Sequence, residues 1–514
     1  MSLPTSSLPR RDFLKATAAG LTGLALGARP TFGINQQKKQ PNILLIMSDE
    51  HNPAITGCYG NKVVHTPNID SLAERGVTFE NHYCNSPLCV PSRSSLTAGK
   101  YCSRVNVWGL TSELPSADIP SLPRVMNAAG YESFLCGKQH YDYSRRYGFT
   151  EVGGDFNKTY KTGKGSRRPM DAITQDHLSE RYKDFHTGDH GKPVEHDRRV
   201  TKGAVEFLSK RQATDKPFFL FAGYLAPHFP LIVPQEFYDR YQGKVDMPAQ
   251  WPEGFFEGLP LNYKLLRAAY KEIGVPDATV LKGRELYYGL TDWVDNEIGK
   301  VLATLRANKE LADNTVIIYT SDHGENMGEH GMWWKSCMYE QAARVPMVIS
   351  WPERFKPGQR RGPGASAHLD LVKTVAEIGG GETPDDWNGD SMVPWLENPS
   401  HQWKDFAVSE YYAHSIASGF VMARTGKWKY NYHSRIDNDH GPVRELYDLT
   451  TDPHEFTNLA TQPEHTTLIA DIHQRMVKEV GRDPDETELI ARHDLHKGYD
   501  RKDPPPPGKH NGDE

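Results

Sequence analysis

The 514 residues carry a formal net charge of −6, and charges of both signs are spread along the chain, which argues against a nucleic-acid footprint. With 44 glycines, 36 prolines and 10% aromatic residues, the composition excludes fibrous, disordered and disulfide-scaffold classes and suits a loop-rich globular enzyme. The length exceeds one small core and fits one large α/β domain with a smaller companion.

At the N-terminus, Pro9-Arg10-Arg11-Asp12-Phe13-Leu14-Lys15 precedes an apolar, small-residue run from Ala16 to Ala28. That run is too short and too rich in Gly and Ala to span a membrane, but it fits an export signal. Paired arginines before x-Phe-Leu-Lys resemble a bacterial twin-arginine signal. The expectation is that residues 1–28 address the chain to the twin-arginine export machinery and the periplasm, with no stable membrane anchor. Cleavage there removes Arg10, Arg11, Lys15 and Asp12, a net +2, and leaves −8. Residues 29–40 read as a linker.

Four apolar runs follow, each the length of a strand buried on both faces of a parallel sheet: Asn42–Met47, Glu132–Cys136, Pro217–Tyr224 and Thr315–Tyr319. Each gives way at once to ionisable residues. Asp49 and Glu50 follow the first, Lys138 and His140 the second, His228 the third, and Asp322 and His323 the fourth. Ligands of open α/β sheets bind at the carboxyl ends of strands, so these groups are expected at one edge.

Helical periodicity marks Asn68–Gly76, Arg198–Arg211 and Arg284–Arg306, the last with Leu286, Leu290, Trp293, Val294, Ile298 and Leu302 on its core side. Gly379-Gly380-Gly381 lacks the Lys-Ser/Thr of a phosphate loop and reads as a helix stop. From about Gln402 the texture changes: Phe420–Arg424 and Trp428–Tyr430 alternate as antiparallel strands, Glu445–Leu449 follows, and a helix is expected over Thr466–Val480. The expected fold is α/β, a large mixed and mostly parallel sheet flanked by helices, with a smaller C-terminal α+β subdomain. The boundaries are 41–400 for the catalytic domain, 401–495 for the C-terminal subdomain, and 496–514 for a disordered Pro-rich tail.

Cys89-Val90-Pro91-Ser92-Arg93, continued by Ser94-Ser95-Leu96-Thr97-Ala98-Gly99, is the most informative stretch. It resembles the Cys-x-Pro-Ser-Arg core of type I sulfatases, members of the alkaline phosphatase superfamily. The resemblance extends from about Pro41 to Leu459, where Leu446–Leu449, Asp452-Pro453, Glu455 and Asn458-Leu459 match the family's C-terminal signature. It implies that a maturation enzyme oxidises Cys89 to formylglycine, whose hydrated aldehyde attacks the sulfur of a sulfate ester.

The same resemblance implies a calcium ion on Asp49, Glu50, residue 89, Asp322 and His323, with magnesium or manganese as the other candidates. Glu50 and His323 depart from the commoner Asp-Asp and Asp-Asn pairs, and Asp-His is the pairing of the choline sulfatase and phosphonate monoester hydrolase branch. Lys138 and Lys335 become sulfate clamps, Arg93 steadies residue 89 from one helical turn on, His140 hydrogen-bonds the formylglycine hydroxyl, and His228 protonates the leaving oxygen. His330 and His368 receive no role.

The six cysteines (Cys58, Cys84, Cys89, Cys102, Cys136 and Cys337) contain no metal-type CxxC pair, and the sequence specifies no disulfide. The expected activity is hydrolysis of sulfate monoesters on carbohydrates or small organic molecules. Two rivals stand: a phosphonate monoester or phosphodiester hydrolase with the same site, and a catalytically silent sulfoglycan-binding protein. Choline sulfate calls for an aromatic cage, for which Tyr141, Tyr143 and Trp334 are candidates. The charged segment Thr159–Arg199 is either a polar pocket lining or a solvated insertion, and Asn157-Lys158-Thr159 has the form of a glycosylation sequon.

Overall fold

The structure, a computed structural model, describes residues 39–158 and 175–497. The signal at 1–28, most of the linker, part of the Thr159–Arg199 segment and all but the first two residues of the expected tail lie outside the described residues. Those two are not tail: the last helix, Pro484–Lys497, includes His496 and Lys497.

In chain order the first strands are β1 (Asn42–Asp49), β2 (Val77–Tyr83), β3 (Glu132–Gly137) and β4 (Thr150–Glu151). β5 (His186–Thr187), β6 (Phe218–Pro227) and β7 (Ile232–Val233) follow, and then β8 (Thr315–Ser321), β9 (Met347–Ser350) and β10 (Gln359–Ala367). The large sheet runs β10-β2-β9-β8-β1-β6-β3-β4, while β5 and β7 pair only with each other. All neighbours in the large sheet are parallel except at β9, which is antiparallel to both β2 and β8. The mixed, mostly parallel sheet expected from the sequence is therefore present, with β1 at its centre between β6 and β8.

β1 shows why these runs form central strands. Every residue from Asn42 to Asp49 is buried, and alternate side chains enter opposite cores. Leu44 and Ile46 pack with Val200, Ala204 and Leu208 of the helix Lys192–Lys210 and with Leu286, Leu290, Val294 and Ile298 of the helix Asp277–Ala307. Ile43, Leu45 and Met47 pack on the other face with Leu371, Val372 and Val375 of the helix His368–Gly379. That helix ends where expected, with Gly380 left-handed at φ +71°.

The C-terminal subdomain is an antiparallel sheet of β11 (Ala407–Tyr411), β12 (Phe420–Thr425), β13 (Trp428–His433) and β14 (Val443–Asp448), in that order. Ile469, Ile472, Met476 and Val480 of the helix Thr466–Val480 close one side of it. A buried ion cluster ties this sheet to the segment after Lys335. Lys429 of β13, without solvent contact, places Nζ 2.7 Å from Glu455 Oε1 and 3.1 Å from Glu340 Oε1. The Glu340 backbone N–H donates to Glu455 Oε2 at 2.7 Å.

All six cysteines are free thiols, and five of them are buried. Among the described residues no helix is long and apolar enough to cross a membrane.

Candidate active site

The carboxyl edge of the sheet collects the groups that follow the strands. Asp49 ends β1 and Glu50 comes next; Lys138 follows β3, His228 follows β6, and Asp322 and His323 follow β8. Cys89 opens the helix Cys89–Ala98, so its side chain stands at a helix N-terminus, where backbone N–H groups favour negative charge. Its Sγ lies 3.1 Å from His323 Nε2 and 3.6 Å from Asp49 Oδ1.

Beneath these groups Arg93 is 1% exposed. Its Nε donates to Asp322 Oδ2 at 2.7 Å, Nη2 to Asp49 Oδ2 at 3.2 Å, and Nη1 to the Lys138 carbonyl at 2.7 Å. A surface ion pair is thereby excluded, and the side chain braces two carboxylates instead of reaching out to solvent. Ser92 Oγ donates to the Asp322 carbonyl at 2.6 Å, which fixes the same helix to the end of β8.

The two lysines occupy the carboxylates. Lys138 Nζ pairs with Asp49 Oδ2. Lys335 Nζ lies 3.2 Å from Glu50 Oε1 and donates to His228 Nε2 at 2.7 Å. Because His228 Nδ1 faces the Phe229 carbonyl, which only accepts, Nε2 is the nitrogen left toward the site. Glu50 Oε2 stands 3.4 Å and Asp49 Oδ1 3.8 Å from that nitrogen.

The electrostatics follow from burial set against these cations. Burial raises the Asp49 carboxyl, but Lys138, His228, Arg93 and His323 together hold it well below its usual range. Glu50 is likewise raised by burial and brought down to about 2 by His228 and Lys335. Burial dominates at Asp322, pushing it up to about 6 against the pull of Arg93. Burial and Asp49 push the Cys89 thiol upward, and Lys138, Lys335 and His323 outweigh them to leave it well below the usual thiol range.

Two overlapping donor sets result: Asp49, Cys89, Asp322 and His323, and Asp49, Glu50 and His228, each with its ligand atoms within 4.8 Å of one another. His323 Nδ1 donates to the Gly324 carbonyl at 3.0 Å, which leaves Nε2 free to ligate. Two or three carboxylates and an imidazole suit a hard divalent cation such as calcium, magnesium or manganese, with residue 89 as a further donor.

Above this cluster opens a cavity of about 350 Å³, lined by Lys138, His140, His228 and Lys335 among others. Glu50, His140 and Trp334, all on its wall, hold left-handed backbone at φ +65°, +58° and +66°. Such conformations cost about 1 kcal/mol each in a non-glycine residue and tend to collect at functional sites.

Several lining residues were not foreseen from the sequence. Asn157, buried, accepts from Gln139 N at 3.1 Å and donates to the Gly137 carbonyl at 3.1 Å, so the apparent sequon is a brace for the Lys138 loop. Arg181 and Lys192 come from the charged segment, whose described part does reach the cavity. Tyr270 Oη bonds His414 Nε2 at 3.0 Å across another wall. Tyr141 and Trp334 line the cavity and Tyr143 is not among its lining residues. His330 stacks on Tyr339 at 3.6 Å, and His368 donates from Nε2 to the Ser321 carbonyl and accepts at Nδ1 from His82 Nε2 behind the site.

A doubly covered, mostly parallel sheet with clustered carboxylates, lysines and histidines at its carboxyl edge defines a hydrolase of anionic esters. The chain belongs to the sulfatase family: residues 41–381 match the family described as Sulfatase, and residues 328–481 the one described as N-sulphoglucosamine sulphohydrolase, C-terminal. It is an enzyme of the sulfuric ester hydrolase class.

A choline-sulfatase of Rhizobium meliloti (strain 1021) is 30% identical over 82% of this chain and 83% of its own. An N-acetylglucosamine-6-O-sulfatase of Bacteroides thetaiotaomicron is 27% identical over 88% and 89%. Among solved structures, a complex with its substrate D-glucosamine-2-N,6-O-disulfate superposes with a TM-score of 0.68 at 24% identity, covering 87% of this chain and 100% of that one. The phosphonate monoester hydrolase of Agrobacterium radiobacter gives 0.70 at 22%, covering 86% and 95%. Both structures share the fold.

Proposed function

We propose that the protein hydrolyses sulfate monoesters with residue 89 matured to formylglycine and one divalent cation, calcium in the first instance, held by Asp49, Glu50, Asp322, His323 and residue 89. The observation that carries this reading is Cys89 at a helix N-terminus, 3.1 Å from His323 and 3.6 Å from Asp49, within a cavity whose lining includes Lys138 and Lys335. When bound, the cation and the hydrated aldehyde supply electrophilic polarisation and a hydroxyl nucleophile.

The chain's own residues do the rest. Lys138 and Lys335 exchange their carboxylate partners for sulfate oxygens, neutralising charge as the S–O bond breaks. His228, its Nδ1 proton fixed on the Phe229 carbonyl, presents Nε2 to the cavity; once Lys335 turns from that nitrogen to sulfate, Nε2 takes up a proton from solvent, and the resulting imidazolium delivers it to the leaving oxygen. His140 receives the proton that the residue 89 hydroxyl loses when sulfate departs. Arg93 keeps Asp49 and Asp322 apart and oriented throughout. The enzyme's partners are a formylglycine-generating maturation enzyme and, through residues 1–28, the twin-arginine machinery that takes it to the periplasm.

Peptide mass spectrometry across residues 89–93, after production with the maturation enzyme, tests the central step. The mass should fall by the exchange of H2S for one oxygen. An unmodified cysteine under those conditions removes the nucleophile and favours the silent binding protein.

A second reading, phosphonate monoester or phosphodiester hydrolysis, is favoured by the Asp322-His323 pair. Turnover of an aryl sulfate against an aryl phosphonate ester decides, since the preferred ester should lead by about tenfold or more in kcat/KM.

A further inference from the structure

Beyond the groups that would hold one sulfate, the cavity carries a second set of cations. Arg181, in the turn Glu180–Asp184, and Lys192, the first residue of the helix Lys192–Lys210, both line it. Among the described residues neither has a carboxylate within ion-pairing distance, unlike Lys138 and Lys335, each of which sits on an acid. Among the described residues Glu50 is the one acidic residue of the lining, and Lys335 already faces it.

Arg181 is held in place although it is exposed. Its guanidinium carbon lies 5.2 Å from the Trp334 ring and 5.3 Å from the Phe229 ring. Stacking on two aromatic faces restrains a long side chain without using its N–H donors, which remain available to an anion. The same contact occupies the Trp334 face that a quaternary ammonium would need.

We infer that Arg181 and Lys192 form a subsite for a second anionic group, so that the substrate is a sulfate ester bearing a further carboxylate or sulfate, and not a zwitterionic or neutral ester. This rests on the sulfatase reading for its first anion site, but the second-anion contact itself needs no turnover. A sulfated uronic acid and a hexose disulfate both satisfy the chemistry.

Calorimetric binding to the full-length Cys89→Ala protein, which cannot turn over, tests the inference without reference to catalysis. The probes are a monosulfated neutral hexose, a hexose disulfate, a sulfated uronic acid and choline sulfate. Either dianion should bind roughly tenfold tighter than the monosulfated hexose, with choline sulfate weakest, as expected for two exposed cations each adding a modest charge-assisted contact.

The stronger of the two dianions identifies the second group. In Arg181→Gln/Lys192→Gln, with its melting temperature checked against the parent, the advantage of the dianion over the monosulfated hexose should vanish. Equal affinity for all four probes, no binding of any, or an advantage that survives the double substitution overturns the subsite. Failure of the sulfatase reading would instead appear as unmodified Cys89 in the matured wild-type chain, which the binding ratios do not touch.

Discussion

Replacing Lys429 by Met strands a buried acid, and the consequence can be worked from its neighbours. Glu340 keeps Arg344 Nε at 3.2 Å and the Tyr83 hydroxyl at 3.0 Å, whereas Glu455 loses the ammonium 2.7 Å away and keeps only the Glu340 backbone N–H. Removing one member of a buried ion cluster costs about 3–5 kcal/mol, because the remaining charge is left in a low-dielectric interior. Unfolding entropy of about 2.1 cal/mol/K per residue over the roughly 440 described residues makes 1 kcal/mol worth ~1 °C, so the melting temperature should fall by about 3–5 °C.

The sign with pH follows. Burial raises the Glu455 carboxyl to about 7 even with Lys429 present, so loss of the lysine raises it further. A carboxyl raised in the folded state takes up a proton on folding between its unfolded and folded values. Stability therefore falls as pH rises through that window, by up to about 1.4 kcal/mol per pH unit for one proton. The deficit of Lys429→Met relative to wild type should thus be larger at pH 8 than at pH 5.5, and Lys429→Met/Glu455→Gln should recover most of it. Scanning calorimetry at one scan rate measures all three proteins. A deficit that is the same at both pH values, or absent, refutes the stranded-carboxylate argument.

Arg93→Met leaves Asp49 and Asp322 facing each other without their shared guanidinium, and should lower the melting temperature by a similar ~3–5 °C; an unchanged melting temperature contradicts the bracing role. His228→Gln should slow an alkyl sulfate by about 10²–10⁴-fold in kcat but an activated aryl sulfate, whose leaving group needs no proton, far less; equal losses on both, in steady-state kinetics, remove His228 as proton donor. Chelation should abolish turnover yet lower the melting temperature by only about 3–4 °C, the linkage expected for a cation present at about 100–1,000 times its dissociation constant. Arg93, Lys138 and Lys335 remain as counterions, and global unfolding on chelation would contradict that account.

The central strands were legible because their residues are apolar on both faces, and the sheet edge was legible because ionisable residues follow each run directly. β9 was not: four residues, Met347–Ser350, are too few to show a period, and its antiparallel direction depends on where the chain returns. Arg181 and Lys192 were hidden for another reason. In a charged segment, residue type does not distinguish a solvated side chain from one at a cavity wall; the Trp334 and Phe229 faces make that distinction for Arg181, and the helix start at Lys192 makes it for the lysine. Lys429 read as one polar position in an alternating strand, although its partners, Glu340 and Glu455, lie on segments separated from each other by more than a hundred residues. Asn157 was obscured by a sequon that its burial makes irrelevant.

The six thiols bear on how the molecule is made. No disulfide links segments of this fold, so its folding, as distinct from the proposed maturation of residue 89, needs no thiol oxidation and no disulfide exchange. Apart from the proposed cation, its stability comes from packing, hydrogen bonds and buried ion pairs, none of which a change of redox potential breaks.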